Sequence, residues 1–181
     1  MKIRHSTDAD KTAISRIHAS AFGEEEGDEI VGLVSELLED ETAKPLLSLL
    51  AESDGELLGH ILFTVVSLQP EAPEVSARIL APLAVSSEHQ GKGIGGELTK
   101  EGLRQLAESG VDLVFVLGHP GYYPGFGFQP AGMLGLEAPY PVKPEHAEAW
   151  MVQALKPNVR GRIKGVVQCA DALDQARYWQ E

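Results

Sequence analysis

Apolar residues along the chain switch repeatedly between strand rhythm and helix rhythm. Residues 2–5 read as a short opening strand. Thr7 and Asp10 then form an S/T-x-x-acid pattern, which starts a helix by offering side-chain acceptors to its unpaired N–H groups. Ile14, Ile17 and Phe22 continue that helix. A glycine-flanked acidic run over 23–29 predicts a loop. Ile30, Val34, Leu37 and Leu38 share one face of a second helix over about 28–39.

Residues 46–51 and 57–68 predict two strands joined by the Asp54-Gly55 turn signal. Residues 78–85 form another apolar strand, but Pro82 lies inside it. Proline removes a ladder donor, so pairing there should bulge or lapse. From 93 to 109, Ile94, Leu98, Leu103 and Leu106 fall on one half of a helix. Glu97, Lys100, Glu101, Arg104 and Glu108 fill the other half. Gly110 ends it. The nearly continuous apolar run 111–117 predicts a strand buried on both faces.

Strand, helix and strand over 78–117 imply a parallel pair with a right-handed crossover. The earlier hairpin is antiparallel, so the sheet should be mixed. Residues 149–155 and 165–169 are late strands. The fold class is α/β, with a central mixed sheet flanked by helices.

Composition narrows the function. The chain has 181 residues, 43% hydrophobic and 23% charged, sized for a single domain over 1–181 with a sizeable core. Fifteen Lys and Arg against 27 Asp and Glu give a net charge of −12. Nucleic-acid binding needs a basic footprint and is not expected; nor is docking on anionic lipid. The longest apolar runs, 61–66 and 111–117, are too short to span a bilayer, and no signal-peptide run follows Met1. Cys169 is the single cysteine, so no internal disulfide forms, as suits a reducing cytoplasm.

The segment that carries chemistry is Gln90-Gly91-Lys92-Gly93-Ile94-Gly95-Gly96. Glycines at a helix start let backbone N–H groups approach an anion, and the helix dipole adds to the attraction. These residues imply a phosphate site. The nucleotide loop G-x-x-x-x-G-K-[ST] fails, because Glu97-Leu98 stands where Lys-Ser/Thr is needed. The dinucleotide pattern G-x-G-x-x-G matches at Gly91, Gly93 and Gly96. However, five residues, 86–90, separate it from the strand, and Asp112 opens the next strand rather than closing it. A third pattern, Q/R-x-x-G-x-G/A, is met by Gln90, Gly93 and Gly95.

Here residues 80–96 resemble the acetyl-CoA-binding core of the GNAT N-acetyltransferase superfamily. Tyr122-Tyr123-Pro124-Gly125-Phe126-Gly127-Phe128 resembles that superfamily's F-Y-x-x-x-G-F element. Leu117-Gly118-His119-Pro120, leading into those aromatics, is similar to the YhbS-like branch. The strong match covers 78–131, and the late strands agree more loosely.

The resemblance implies that the two parallel strands, 80–85 and 111–117, splay to admit acetyl-CoA. The backbone of Leu83, Ala84 and Val85 would bond the pantetheine arm. The N–H groups of Gly91, Lys92, Gly93, Ile94, Gly95 and Gly96 would hold the pyrophosphate, with Gln90 shaping the loop. Tyr123 takes the position of the family's tyrosine that protonates the leaving thiolate, a task for a donor within hydrogen-bond reach. A backbone N–H on 83–85 would face the developing oxyanion. The amine attacks directly, so Cys169 has no catalytic role. No metal is expected, since the histidines lack ligand spacing.

Some family members carry a glutamate base on the strand placed at 78–85, and this chain has none there. Glu74 is the nearest carboxylate in sequence. His119 stands where the branch is expected to carry an aspartate. It serves as a base near neutral pH, or caps the turn before Pro120, or leaves proton removal to a water relay; all three readings stay open. Tyr123 has a competing role as a packed aromatic beside Phe126 and Phe128. The acids of 24–29 either attract a cationic acceptor or form a solvated loop.

The expected function is transfer of the acetyl group of acetyl-CoA to a primary amine of a small molecule or peptide. A homodimer is kept as a partner, because dimers are common in similar families. Two other classes stay in view. One is a non-catalytic acyl-CoA sensor on the same fold. The other is an NAD-dependent oxidoreductase, resting on the literal glycine fingerprint.

Overall fold

Alternation along one long strand sorts the protein into two faces. The computed structural model describes residues 1–157 and 163–179. Strands β1 (Lys2–His5), β2 (Leu47–Ser53), β3 (Glu56–Gln69), β4 (Ala77–Val85) and β5 (Leu113–Leu117) come first, with helix α1 (Lys11–Glu39) after β1 and helix α2 (Ile94–Glu108) after β4. Short β6 (Gln129–Pro130) and β7 (Leu136–Glu137), then β8 (Trp150–Ala154) and β9 (Gly165–Gln168), complete the set. The sheet order is β1-β2-β3-β4-β5-β8-β6, and β9 joins the far end of β3 to β7. β4 and β5 are parallel across α2, and most other pairs are antiparallel, as the mixed sheet requires.

On β3, Ile61 and Phe63 pack with Leu98, Leu103 and Leu106 of α2. Leu62 points to the opposite face, with Leu33 and Leu37 of α1. Contact with α2 is so close that a β-carbon on Gly102 would lie 2.3 Å from the Phe63 ring. Glycine there lets helix and sheet approach around a large ring.

The first helical region differs from expectation. The acidic run 24–29 is not a loop: α1 is helical on both sides of Gly23, whose φ of 79° and ψ of −176° break it. Glutamates are good helix formers, and one glycine is enough to turn the chain without a longer connection. The second segment turns back sharply. A β-carbon on Gly27 would lie 3.3 Å from the carbonyl oxygen of Ala19. The Thr7–Asp10 signal does start this region: the Asp10 carboxylate accepts from Thr7 N at 2.7 Å.

Pro82 produces the lapse expected of it. Across the ladder Ile61 faces Leu83 and Phe63 faces Leu80, so Ala81 and Pro82 together oppose Leu62. This is a β-bulge. The parallel ladder with β5 begins at Ala77–Leu113 and ends at Leu80–Val116. Residues 81–85 therefore leave β5 while still held by β3. Among the described residues, no helix is long and apolar enough to cross a membrane.

Candidate active site

Where β4 and β5 part, a cleft of about 1440 Å³ opens. One half is lined by Leu83 and Val85, the glycine loop, and the turn carrying His119, Tyr122 and Tyr123. The other half is walled by α1, the segment before β8 and the C-terminal residues.

The glycine loop uses its glycines for two separate reasons. Gly91 and Gly93 have φ of +79° and +83°, with open space where a side chain would project. Their role is conformational, and Gly93 caps the start of α2. Gly95 and Gly96 make room instead. A β-carbon on Gly95 would meet the Tyr122 hydroxyl at 3.0 Å, and one on Gly96 would meet Phe126 at 3.3 Å. The Gln90 side chain donates to the Val85 carbonyl at 2.9 Å, tying the loop to the end of β4.

Not every predicted residue presents its side chain here. Gln90, Gly91, Gly93, Ile94, Gly95 and Gly96 line the cleft with Leu83 and Val85, whereas Lys92 does not. Ala84 is buried on the opposite face with Ile14, Ile17, Val34 and Leu50. That is the period-two alternation of a strand.

His119 is exposed at the cleft, and its carbonyl accepts from Tyr122 N at 3.1 Å and Tyr123 N at 3.3 Å. This turn orients both tyrosines. Tyr123 is 8% exposed, set edge-on against Tyr122 at 5.0 Å and Phe128 at 5.7 Å. Burial, then the neighbouring Tyr122, push its hydroxyl well above the usual phenol range. It therefore stays protonated. Burial also raises Tyr122, against a hydrogen bond with Thr99.

One sequence candidate falls away on geometry. Asp112 accepts from Ser76 N at 2.8 Å and pairs with Lys156 at 3.0 Å. It sits ahead of β5, at the end away from the cleft, so it cannot serve a ribose there. Burial raises the Cys169 thiol to about 12, which makes it a poor nucleophile. Among the described residues one group could hold a metal, Glu56, Glu88 and the half-buried His89, with ligand atoms within 4.8 Å of one another. Exposed carboxylates dominate it, and we assign it no ion.

The far half of the cleft was largely illegible in the sequence. Phe22, Glu26, Glu29 and Ile30 of α1 face it, and Glu29 pairs with Arg177 at 3.6 Å. Lys143 and His146 add positive or titratable groups. Only the long-range fold brings the C-terminal Arg177 to α1, so no local signal could have found it.

Residues 2–131 match the family model described as an acetyltransferase (GNAT) domain. The chain belongs to the GNAT acetyltransferase family. It is 46% identical to the N-acetyltransferase YjhQ of Escherichia coli K12 over 170 residues, 92% of this chain and 91% of that protein. It is 31% identical to the N-acetyltransferase YhbS of the same organism, across 93% of this chain and 95% of YhbS. The crystal structure of Escherichia coli YhbS in complex with CoA superposes with a TM-score of 0.84, at 29% identity over 96% of this chain and 92% of that one. A GNAT acetyltransferase from Brucella melitensis in complex with acetyl-CoA gives 0.71, at 30% identity over 96% and 97%. The mixed sheet flanked by helices of this GNAT acetyltransferase matches that of its solved relatives.

Proposed function

We propose that this GNAT acetyltransferase moves the acetyl group of acetyl-CoA to a primary amine by direct attack, with Tyr123 as the general acid. The observation that carries the reading is the end of β4–β5 pairing at Leu80–Val116, beside the glycine loop and opposite Tyr123.

The residues present fit such a donor. Ser86 N donates to Leu58 O across the β3–β4 ladder. Antiparallel bonds alternate sides, so the N–H groups of Leu83 and Val85 point to the opened edge, where β5 does not take them. They are suited to the amides of an extended arm and to a thioester oxygen. Gly91 and Gly93 hold a backbone curve with free space over it, at the positive end of α2. That end favours a pyrophosphate, and no basic side chain is needed. This reconciles a phosphate ligand with a chain of net charge −12.

Acetyl-CoA supplies an activated acetyl thioester. Tyr123 holds its proton until the sulfur of the departing thiolate takes it. His119 stands at the cleft within the same turn, placed to orient the acceptor or take its proton. Glu26 and Glu29 offer the acceptor half two carboxylates for a cationic amine, beside Lys143 and Arg177. The single, half-buried Cys169 suits a reducing cytoplasm.

Calorimetric titration with acetyl-CoA, with NAD as control, tests the donor. Saturable binding of acetyl-CoA alone is expected, followed by thiol release when amines are added. Absence of acetyl-CoA binding by folded protein overturns the reading. Binding without thiol release against any amine class leaves a sensor.

A further inference from the structure

A continuous polar chain runs through the apolar layer between α1 and the sheet, and the mechanism above makes no use of it. His18 of α1 and His60 of β3 are both 0% exposed. His18 Nε2 lies 2.8 Å from His60 Nδ1. His60 Nε2 lies 2.8 Å from the Ser48 hydroxyl, and Ser6 Oγ lies 2.6 Å from Ser48 Oγ. Every internal nitrogen of the chain is therefore engaged. At the inner end, His18 Nδ1 is buried with no hydrogen-bond partner among the described residues. An orphaned buried nitrogen costs about 1–3 kcal/mol.

The outer end of the chain opens on a cavity, and the inner ring lies beside a residue that lines the cleft. Ser6 and Ser48 line a separate cavity of about 290 Å³ between the N-terminal segment and α1. His18 lies parallel to Phe22, 3° between planes and 6.2 Å between centroids, and Phe22 lines the reaction cleft. His60 pairs across the ladder with Ala84, between the cleft-lining Leu83 and Val85. Acetylation of an amine moves one proton off nitrogen and one onto sulfur, and β4 supplies no carboxylate to take the first.

We propose that His18, His60, Ser48 and Ser6 form a proton path between the reaction cleft and the small cavity on its far side, with Phe22 as its cover on the cleft side. The proposal rests on the acetyl-transfer reading for its purpose, though not for its test. A proton arriving at His18 Nδ1 releases the Nε2 proton to His60 Nδ1. His60 then releases its Nε2 proton to Ser48 Oγ, and the serine hydroxyls pass one to water in the cavity. Each imidazole ends neutral with its tautomer inverted. The proton that first leaves a cationic amine goes to solvent in the open cleft; the attacking neutral amine then loses one proton outward along the path, and when the sulfur takes one through Tyr123, passage in the opposite direction restores the starting tautomers.

Electrostatics favours neutral carriers. Burial holds both imidazoles well below the ordinary histidine range, and His18 lowers His60 further. Asp10 is the facing charge that acts the other way on His60, but it is already paired with Arg4 at 2.9 Å. His5, Asp8 and Lys11 surround the outer cavity. Neutral rings passing protons by tautomer exchange avoid burying a charge.

The test is long-range proton–nitrogen NMR of the full chain with labelled histidine. Exchange between tautomers needs both ends open, so averaged or exchange-broadened ring-nitrogen signals are expected for His18 and His60. Ser48→Ala cuts the outer end and should freeze each ring in one tautomer. Phe22→Ala uncovers the inner end and should speed the exchange. One fixed tautomer per ring in the wild type, unchanged in both variants, overturns the path and leaves a structural pair. Acetyl-CoA titration of the same samples reports separately on the donor site. Failure there removes the acetyl-transfer reading and leaves the tautomer result standing.

Discussion

Gly118 lies flush against the ring of Tyr123: a β-carbon at position 118 would come within 2.5 Å of Tyr123 Cε2. Gly118 directly follows β5, and its N–H donates to Ala149 O at 2.9 Å, so the backbone there has little freedom to retreat. The tyrosine ring must move instead. Gly118→Ala is expected to cost about 1–3 kcal/mol through overpacking and to lower kcat by displacing the hydroxyl. Denaturant unfolding and steady-state kinetics on one sample check both effects.

Tyr123→Phe separates chemistry from packing, because it keeps the ring and deletes only the proton donor. The expected loss in kcat is about a hundredfold or more, with KM for acetyl-CoA little changed. Since burial raises the hydroxyl above its usual range, the wild-type rate should show no loss of this acid at ordinary assay pH. An unaltered kcat in the variant would remove Tyr123 from the acid role.

The glycine loop makes a paired prediction. Gly93→Val forces a β-branched residue into φ of +83°, which distorts the start of α2 and should weaken acetyl-CoA binding measured by calorimetry. Gly95→Val acts differently. Its side chain meets the Tyr122 hydroxyl, so the aromatic turn should shift and kcat should fall with binding. Equal and unchanged affinity in both variants would return the loop to a purely structural helix start.

That division of labour marks what the sequence could reveal. The glycine pattern, the Pro82 lapse and the aromatic element are local; the residues themselves predicted a parallel pair with a lapse at Pro82, and the family resemblance they carry implied its splaying. The reason for Gly95 and Gly96 was not local, because it lies in rings about thirty residues later. The same limit hid His18 and His60, each a single polar residue on an apolar face of its own element. Only the crossing of α1 over β3 brings them together. The acidic run 24–29 misled because glycine and charge usually mark a loop, whereas here one left-handed residue turns a helix.

The buried histidine pair also sets an acid limit on stability. Burial lowers His18 to about 4 and His60 to about 3 in the folded chain, against about 6.5 unfolded. The unfolded chain therefore binds more protons as pH falls below about 6.5, and stability declines until the folded rings titrate, His18 near 4 and His60 near 3. A shift of this size on one ring is worth on the order of 3 kcal/mol. Asp10, held at about 2 by Arg4, loses its contribution only below the usual carboxylate range. Unfolding midpoints should drop between pH 6.5 and 4.5 in the wild type and far less in a His18→Gln/His60→Gln double variant.

Glu26 and Glu29 test the acceptor half. Glu26→Gln and Glu29→Gln are expected to raise KM for a cationic amine while leaving acetyl-CoA affinity alone. Glu29→Gln also releases Arg177 from its ion pair. Constant KM in both variants would return the two acids to the solvated surface of α1.

The early parting of β4 from β5 has a consequence beyond substrate placement. A strand with unclaimed N–H and C=O groups is a template for any extended chain, and here that template lies in the middle of a sheet rather than at its rim. The bulge at Ala81 and Pro82 twists the strand away from regular addition. A donor arm seated along 83–85 would occupy the remaining groups, so the substrate would also act as a guard against strand exchange between molecules. The unliganded protein should then be the form more prone to aggregate, and saturation with donor should protect it by mass action.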